Sequence, residues 1–248
     1  LAALLCTAPD SIAQSGPSPN QSRSHQLNER GVASMNSNDL SKAEELFRQA
    51  VDADYGNVTA AYNLAGTLVL NKKQQEAITF LNKYTKQYEQ DAGLFIVMGD
   101  AHFSLMEIPQ ALKAYERAWA VDQNYKGLAS KLGTIYGLQN RLGDAEDMFR
   151  AATTKDPKDY KSMTNLANIL LAQSKADQAI AIAKRALQIK ASKELYVTLG
   201  SAYEMQSDLK NALISFQRAM DLGDDREEVK QKVTALKEIT AKDPAAAS

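Results

Sequence analysis

Residue types able to make or break bonds are scarce in this sequence. The two histidines, His25 and His102, lie 77 positions apart, and Cys6 is the single cysteine. A serine or cysteine nucleophile needs an imidazole or other base within hydrogen-bond reach, and nothing in this spacing supplies one. One cysteine with two histidines is too few for a closed zinc site of Cys and His ligands. No glycine-rich phosphate loop, Cys-x-x-Cys or His-Glu-x-x-His occurs. The acidic run Asp224, Asp225, Glu227, Glu228 precedes a helical pattern, where the helix dipole favours negative charge. The expectation is a protein without cofactor or metal that is not an enzyme, and whose amides, lysines and aromatic rings act by binding.

The charge balance narrows what is bound. Twenty-nine Lys+Arg against 30 Asp+Glu leave −1 over 248 residues, which removes the broad basic field that non-specific nucleic-acid binding requires. Glycine (12) and proline (6) are sparse, so long helices are favoured over turn-rich sheets. The longest uncharged stretch, Tyr55 to Asn71, contains Asn57, Asn63, Gly66 and Asn71 and is no membrane span. Residues 1–13 read either as the remnant of a secretory signal peptide, with Ser11 and Ala13 suiting cleavage before Gln14, or as an apolar arm. The first reading implies export to a periplasm or exterior, the second a cytoplasmic protein. Residues 14–23 read as a flexible linker and 241–248 as a frayed tail. Asn20 and Asn57 stand in Asn-x-Ser/Thr triplets, which matter only in a glycosylating pathway.

The elements that must position the binding groups repeat. Gly31, Ala65, Gly99, Gly133, Ala167 and Gly200 recur at spacings of 34, 34, 34, 34 and 33. Twelve residues after each comes Ala43, Ala77, Ala111, Ala145, Ala179 or Ala212, and four further on Phe47, Leu81, Tyr115, Phe149, Ala183 or Phe216. Apolar spacing at i, i+3, i+4 and i+7 divides each unit into two helices, parted by breakers such as Asn38-Asp39 and Ser207-Asp208. The small residues permit close approach of the paired helices, and the large ring is expected to fill the gap where the next unit stacks. Six units begin near residues 24, 58, 92, 126, 160 and 193, and an amphipathic capping helix spans 226–240.

Leu132-Gly133, Tyr136, Ala145, Phe149, Ala152 and Pro157, repeated as Leu199-Gly200, Tyr203, Ala212, Phe216 and Ala219, resemble the signature of the tetratricopeptide repeat family. The resemblance implies an all-α, right-handed superhelical solenoid of antiparallel helix pairs whose first helices line a concave groove for an extended peptide or partner helix. Carried onto this sequence, the groove positions are an apolar strip edged by amides, Asn28, Tyr62, Asn63, Ile96, Val97 and Phe103, then a cationic, polar set, Ser130, Lys131, Thr134, Lys161, Thr164, Asn165 and Asn168. Asn63 and Asn165 suit bonding to a peptide main chain, because an amide donates and accepts at once. Lys131 and Lys161 suit an acidic segment, and Phe103 suits an apolar one or self-association. Glu194 stands where chaperone-tail binders of the family need a cation. The implied function is a protein- or peptide-binding scaffold. The alternatives are an exported assembly factor of the pilotin type and a substrate-recruiting segment of a larger enzyme or regulator.

Overall fold

The computed structural model describes residues 16–242, and these form thirteen helices and no strand. They fall into two compact units. The first, through Met106, holds α1 (Pro19–Asn36), α2 (Leu40–Ala53), α3 (Val58–Leu70), α4 (Gln74–Gln87) and α5 (Ala92–Ser104). The second, from Glu107, holds α6 (Ile108–Val121), α7 (Leu128–Leu138), α8 (Leu142–Lys155), α9 (Tyr160–Ala172), α10 (Ala176–Ile189), α11 (Lys193–Met205), α12 (Leu209–Asp221) and α13 (Glu227–Lys242). Residues 1–13, the proposed leader, and 243–248 of the proposed tail lie outside the described residues.

Within each unit every helix packs on the next. The odd-numbered helices also touch one another, α1 on α3, α3 on α5, α7 on α9 and α9 on α11. This all-α solenoid of helix pairs is built on the small residues of the repeat. A Cβ placed on Gly31 would meet the Phe47 ring at 2.5 Å, on Gly133 the Phe149 ring at 3.0 Å, and on Gly200 the Phe216 ring at 2.9 Å. The ring therefore presses on the glycine of its own helix pair, which refines the expectation that it fills the gap beneath the next unit. Where the second helix carries Leu81 or Ala183, the first carries Ala65 or Ala167, and all four are fully buried.

The turn inside each pair places one residue in the left-handed region, from Asn38 (φ 61°) and Lys72 (φ 61°) to Ser207 (φ 61°). The N–H one residue later reaches back to close the first helix, as Asp39 does to the Ser34 carbonyl at 2.9 Å and Lys73 to Leu68 at 2.8 Å.

Polar clips join consecutive pairs. Glu44, 7 % exposed, accepts from Arg48 at 2.8 Å on its own helix and from Lys73 (2.9 Å) and Asn71 (2.7 Å) on the next pair. Three repeats later Glu146 accepts in the same way from Arg150 at 2.7 Å and Lys175 at 2.7 Å. Burial pushes the Glu44 carboxyl up, but the hydrogen bonds from Lys73, Arg48 and Asn71 outweigh it and hold the group down at about 2.

Three boundaries differ from the sequence reading. Helix α1 begins at Pro19, inside the segment 14–23 read as linker, because Ser18 and Gln21 form a reciprocal capping box with the proline at the first helical position. Helix α7 begins at Leu128 rather than near residue 126, because Gly127 adopts φ +82° and cannot continue a helix. At the far end α13 continues to Lys242, so the tail segment starts as helix.

Two outcomes follow from this packing. Gly31→Ala is expected to cost about 1–3 kcal/mol by overpacking, and adding Phe47→Leu, which copies the Ala65–Leu81 pair, should recover most of that loss in urea unfolding. Glu44, depressed in the folded state, contributes stability that is complete above its unfolded value near 4.5 and drains away as pH falls toward 2. Glu44→Gln should therefore lower stability at pH 7 by about 1–3 kcal/mol and flatten the acid limb of a stability profile measured from pH 7 to 3.

Candidate functional site

Helices α7 and α9 each carry a stripe of polar residues. On α9, Lys161, Asn165 and Asn168 stand at i, i+4 and i+7 and so share a face. On α7 the matching stripe is Lys131, Thr134 and Leu138. Between the two helices lies an open hollow of about 190 Å³, walled by Thr134, Gly137 and Leu138 of α7 and by Asn165, Asn168 and Ile169 of α9, with Gly133 and Phe149 also lining it. The hollow follows from the fold. Gly133 admits the Phe149 ring, and Gly137 one turn later has no side chain to close the gap opposite Ile169; a Cβ there would come within 3.3 Å of the Ile169 Cδ1.

The polar groups around the hollow are not equivalent. Thr134 donates to its own helix at the Ser130 carbonyl (2.9 Å), and Thr164 does so at the Tyr160 carbonyl (2.8 Å). Asn168, although exposed, accepts at Oδ1 from the Thr198 hydroxyl of α11 at 2.7 Å. The Ser162 hydroxyl donates to the Asp159 carboxylate and is hydrogen-bonded to the Ser130 hydroxyl at 2.9 Å. The half-buried Asn165 amide makes no hydrogen bond among the described residues, and exposed Lys161 makes no ion pair there. The ammonium of Lys131 lies 5.8 Å from the Tyr115 ring centroid, a cation–π contact.

The first unit is different. Asn63 donates to Asn28 at 2.9 Å, so these two amides are brought together and bonded to each other. Tyr62 and Phe103 are half-buried. Ile96 and Val97, read as part of an apolar groove strip, are only 4 % and 5 % exposed. The correction has a simple cause. Helix α5 is apolar almost all round, with buried residues on every face from Ala92 to Ala101, and such a helix is covered rather than displayed. Asn57, one of the two glycosylation triplets, caps α3 through Ala60 N–H at 3.0 Å and donates to the buried Ser24 hydroxyl at 2.8 Å. Gly137, Leu138 and Ile169 were not singled out from the sequence. The available signal was a glycine at the twelfth position of the fourth unit, next to a leucine that is 57 % exposed. Among the described residues no group of three His, Cys, Asp or Glu is placed to hold a metal ion, and no helix is long and apolar enough to cross a membrane.

The family described as "Tetratricopeptide repeat" matches residues 28–92 and 130–194. The chain belongs to the tetratricopeptide repeat family. Human tetratricopeptide repeat protein 21B is 30 % identical over 139 residues, which are 52 % of this chain and 10 % of that protein. The chain thus spans about a tenth of the length of that relative. Among solved structures, Pseudomonas aeruginosa PilF has a TM-score of 0.73 at 13 % identity, covering 90 % of this chain and 99 % of that one. The protein YrrB, described as having an unusual peptide-binding site, has a TM-score of 0.68 at 16 % identity, covering 75 % of this chain and 96 % of that one. At these identities the likenesses show the fold. Members of the tetratricopeptide repeat family are typically non-enzymatic and serve protein–protein interaction.

The two asparagines of α9 should separate under mutation. Asn168→Ala removes the side-chain amide bonded to Thr198, whose hydroxyl keeps the Glu194 carbonyl at 2.9 Å, and should cost about 0.5–1 kcal/mol in urea unfolding, whereas Asn165→Ala should change stability by less than about 0.5 kcal/mol.

Proposed function

We propose that this chain is a non-enzymatic scaffold that holds an extended acidic peptide against α7 and α9. The Asn165 amide carries the reading. It is half-buried beside the hollow, it is the one asparagine of the three on α3 and α9 inner faces that no neighbouring side chain engages among the described residues, and an amide both donates to and accepts from a peptide bond. An apolar side chain of the ligand enters between Gly137 and Ile169, against Leu138 and Phe149. Lys161, one turn from Asn165, attracts a carboxylate on the same segment. The YrrB structure supports the general reading that a chain of this fold binds peptide.

Selection of a displayed peptide library on the full chain, followed by fluorescence anisotropy of the enriched peptides, tests this. Enriched sequences should pair an acidic residue with a bulky apolar one. Asn165→Ala should weaken binding about five- to tenfold, as expected for loss of one or two main-chain hydrogen bonds. Lys161→Glu should weaken it at least as much at low salt and less as salt is raised. Peptides that bind both variants as tightly as the parent chain would place the site elsewhere.

A further inference from the structure

A second hollow, of about 410 Å³, is lined by the loops after α6 and α8 together with Ala129 and Ser130 of α7 and Asp159, which caps α9. Its lining includes Gln123 in the loop after α6, Ala152 near the end of α8 and Asp156 in the loop after α8. These three positions follow Tyr55, Tyr84 and Tyr88 by 68 residues, two repeats. In the first unit those tyrosines form a stack. The Tyr84 ring, wholly buried, has its centroid 4.3 Å from that of Tyr55 and 5.4 Å from that of Tyr88, and its hydroxyl donates to the Tyr55 carbonyl at 2.5 Å.

The backbone around the two places is the same. After α2, Asp54 accepts from Gly56 N–H at its carboxylate (2.9 Å) and from Asn57 N–H at its carbonyl (3.0 Å). After α6, Asp122 accepts from Asn124 N–H (2.7 Å) and Tyr125 N–H (3.2 Å) in the same two ways. The carbonyl of Gln123 therefore sits in the same turn as the carbonyl that receives the Tyr84 hydroxyl. What differs is the ring, replaced by the methyl of Ala152, and the wall, where Gly127 at φ +82° delays α7 and leaves Lys126 and Gly127 off the helix beside the hollow. Lys155 donates to Asn124 at 3.1 Å, tying the end of α8 to the preceding loop.

We propose that this hollow is an aromatic side-chain slot that takes a tyrosine from a partner polypeptide, its hydroxyl donating to the Gln123 carbonyl as Tyr84 does to Tyr55. The chain itself shows which side chain this turn geometry accommodates, and a volume of about 410 Å³ is within the range of ligand pockets. The slot shares no lining residue with the hollow between Gly137 and Ile169, so it stands or falls independently of the peptide reading above.

The test is an NMR titration of the full chain with three probes, N-acetyl-tyrosinamide, N-acetyl-leucinamide and the peptide Gly-Gly-Tyr-Gly-Gly. The tyrosine amide and the peptide should give saturable shifts at the amides of Tyr125, Ala129 and Ala152, with the leucine amide at least about fivefold weaker, the worth of one hydrogen bond and ring contacts. Ala152→Tyr should abolish those shifts by filling the slot from within. If that variant fails to fold, Tyr84→Ala supplies the second arm, since opening the matching place should add saturable shifts at Tyr55 and Tyr88. The proposal is overturned by three results: no saturable shift at Ala152 in the parent chain, an equal response to leucine, or binding of the tyrosine amide with exclusion of the peptide, which would make the hollow a small-molecule site.

Discussion

Every other feature of this protein depends on how closely two helices of one repeat approach. The approach is set by a size rule across the pair, glycine beneath an aromatic ring at Gly31–Phe47, Gly133–Phe149 and Gly200–Phe216, alanine beneath the smaller Leu81 or Ala183. A single Cβ at the glycine positions would stand 2.5 to 3.0 Å from ring carbons, well inside contact distance, so the backbones or the ring would have to move. Because interiors are close-packed, such a movement is passed to the next pair. The stacking of odd-numbered helices, and hence the face they present, is thus a consequence of residue size at two positions in each repeat.

Polar bonds then fix how one pair meets the next, and they decide which inner-face groups remain for a ligand. Asn28 with Asn63, Ser130 with Ser162, and Asn168 with Thr198 link successive first helices at points where sequence position alone reads as ligand-binding surface. These side chains are engaged in holding repeats together. The clips around Glu44 and Glu146 do the same from the other side of each first helix, with one buried carboxylate satisfied by three or more donors. In a chain whose stability is close to a sum of units and interfaces, such bonds set the local strength of each junction.

The repeat, its helix pairs and the all-α class were legible because they rest on a periodic signal with a steric cause, small residues that must be small and rings that must lie opposite them. The candidate site was legible only in part. Periodicity says which face of a helix a residue occupies, but not whether a neighbour covers that face, so Ile96 was read as groove and is buried, while Asn165 was read as groove and lines the hollow. Gly137 was passed over because a missing side chain leaves no chemical signature, although its absence is what opens the space. The early start of α1 turned on Ser18 and Gln21, polar residues in a segment of linker-like composition, where the spacing of a capping box outweighs composition. The late start of α7 turned on a single glycine at φ +82°.

A repeat array also contains its own controls, since one backbone setting is decorated several times over. The position held by Ala50, Tyr84, Ala152 and Ala186 shows this. In the first repeat, Ser24 donates to the Ala50 carbonyl at 2.7 Å and is itself held by the buried Asn57, which closes the space with small polar groups. In the second, a tyrosine fills it. Near Ala186, the Lys190 ammonium bonds the Tyr160 hydroxyl at 3.1 Å and lies 4.9 Å from its ring centroid, so a neighbouring aromatic covers the place. Around Ala152 the set differs: Lys126 stands at the position of Ser24 and Tyr160, Tyr125 lines the space at that of Asn57, and a hollow of about 410 Å³ results. Leaving apolar surface of this kind uncovered forgoes burial worth about 25 cal/mol per Å². The first, second and fifth repeats show that short, ordinary substitutions would cover it, which is the packing argument behind the proposed slot.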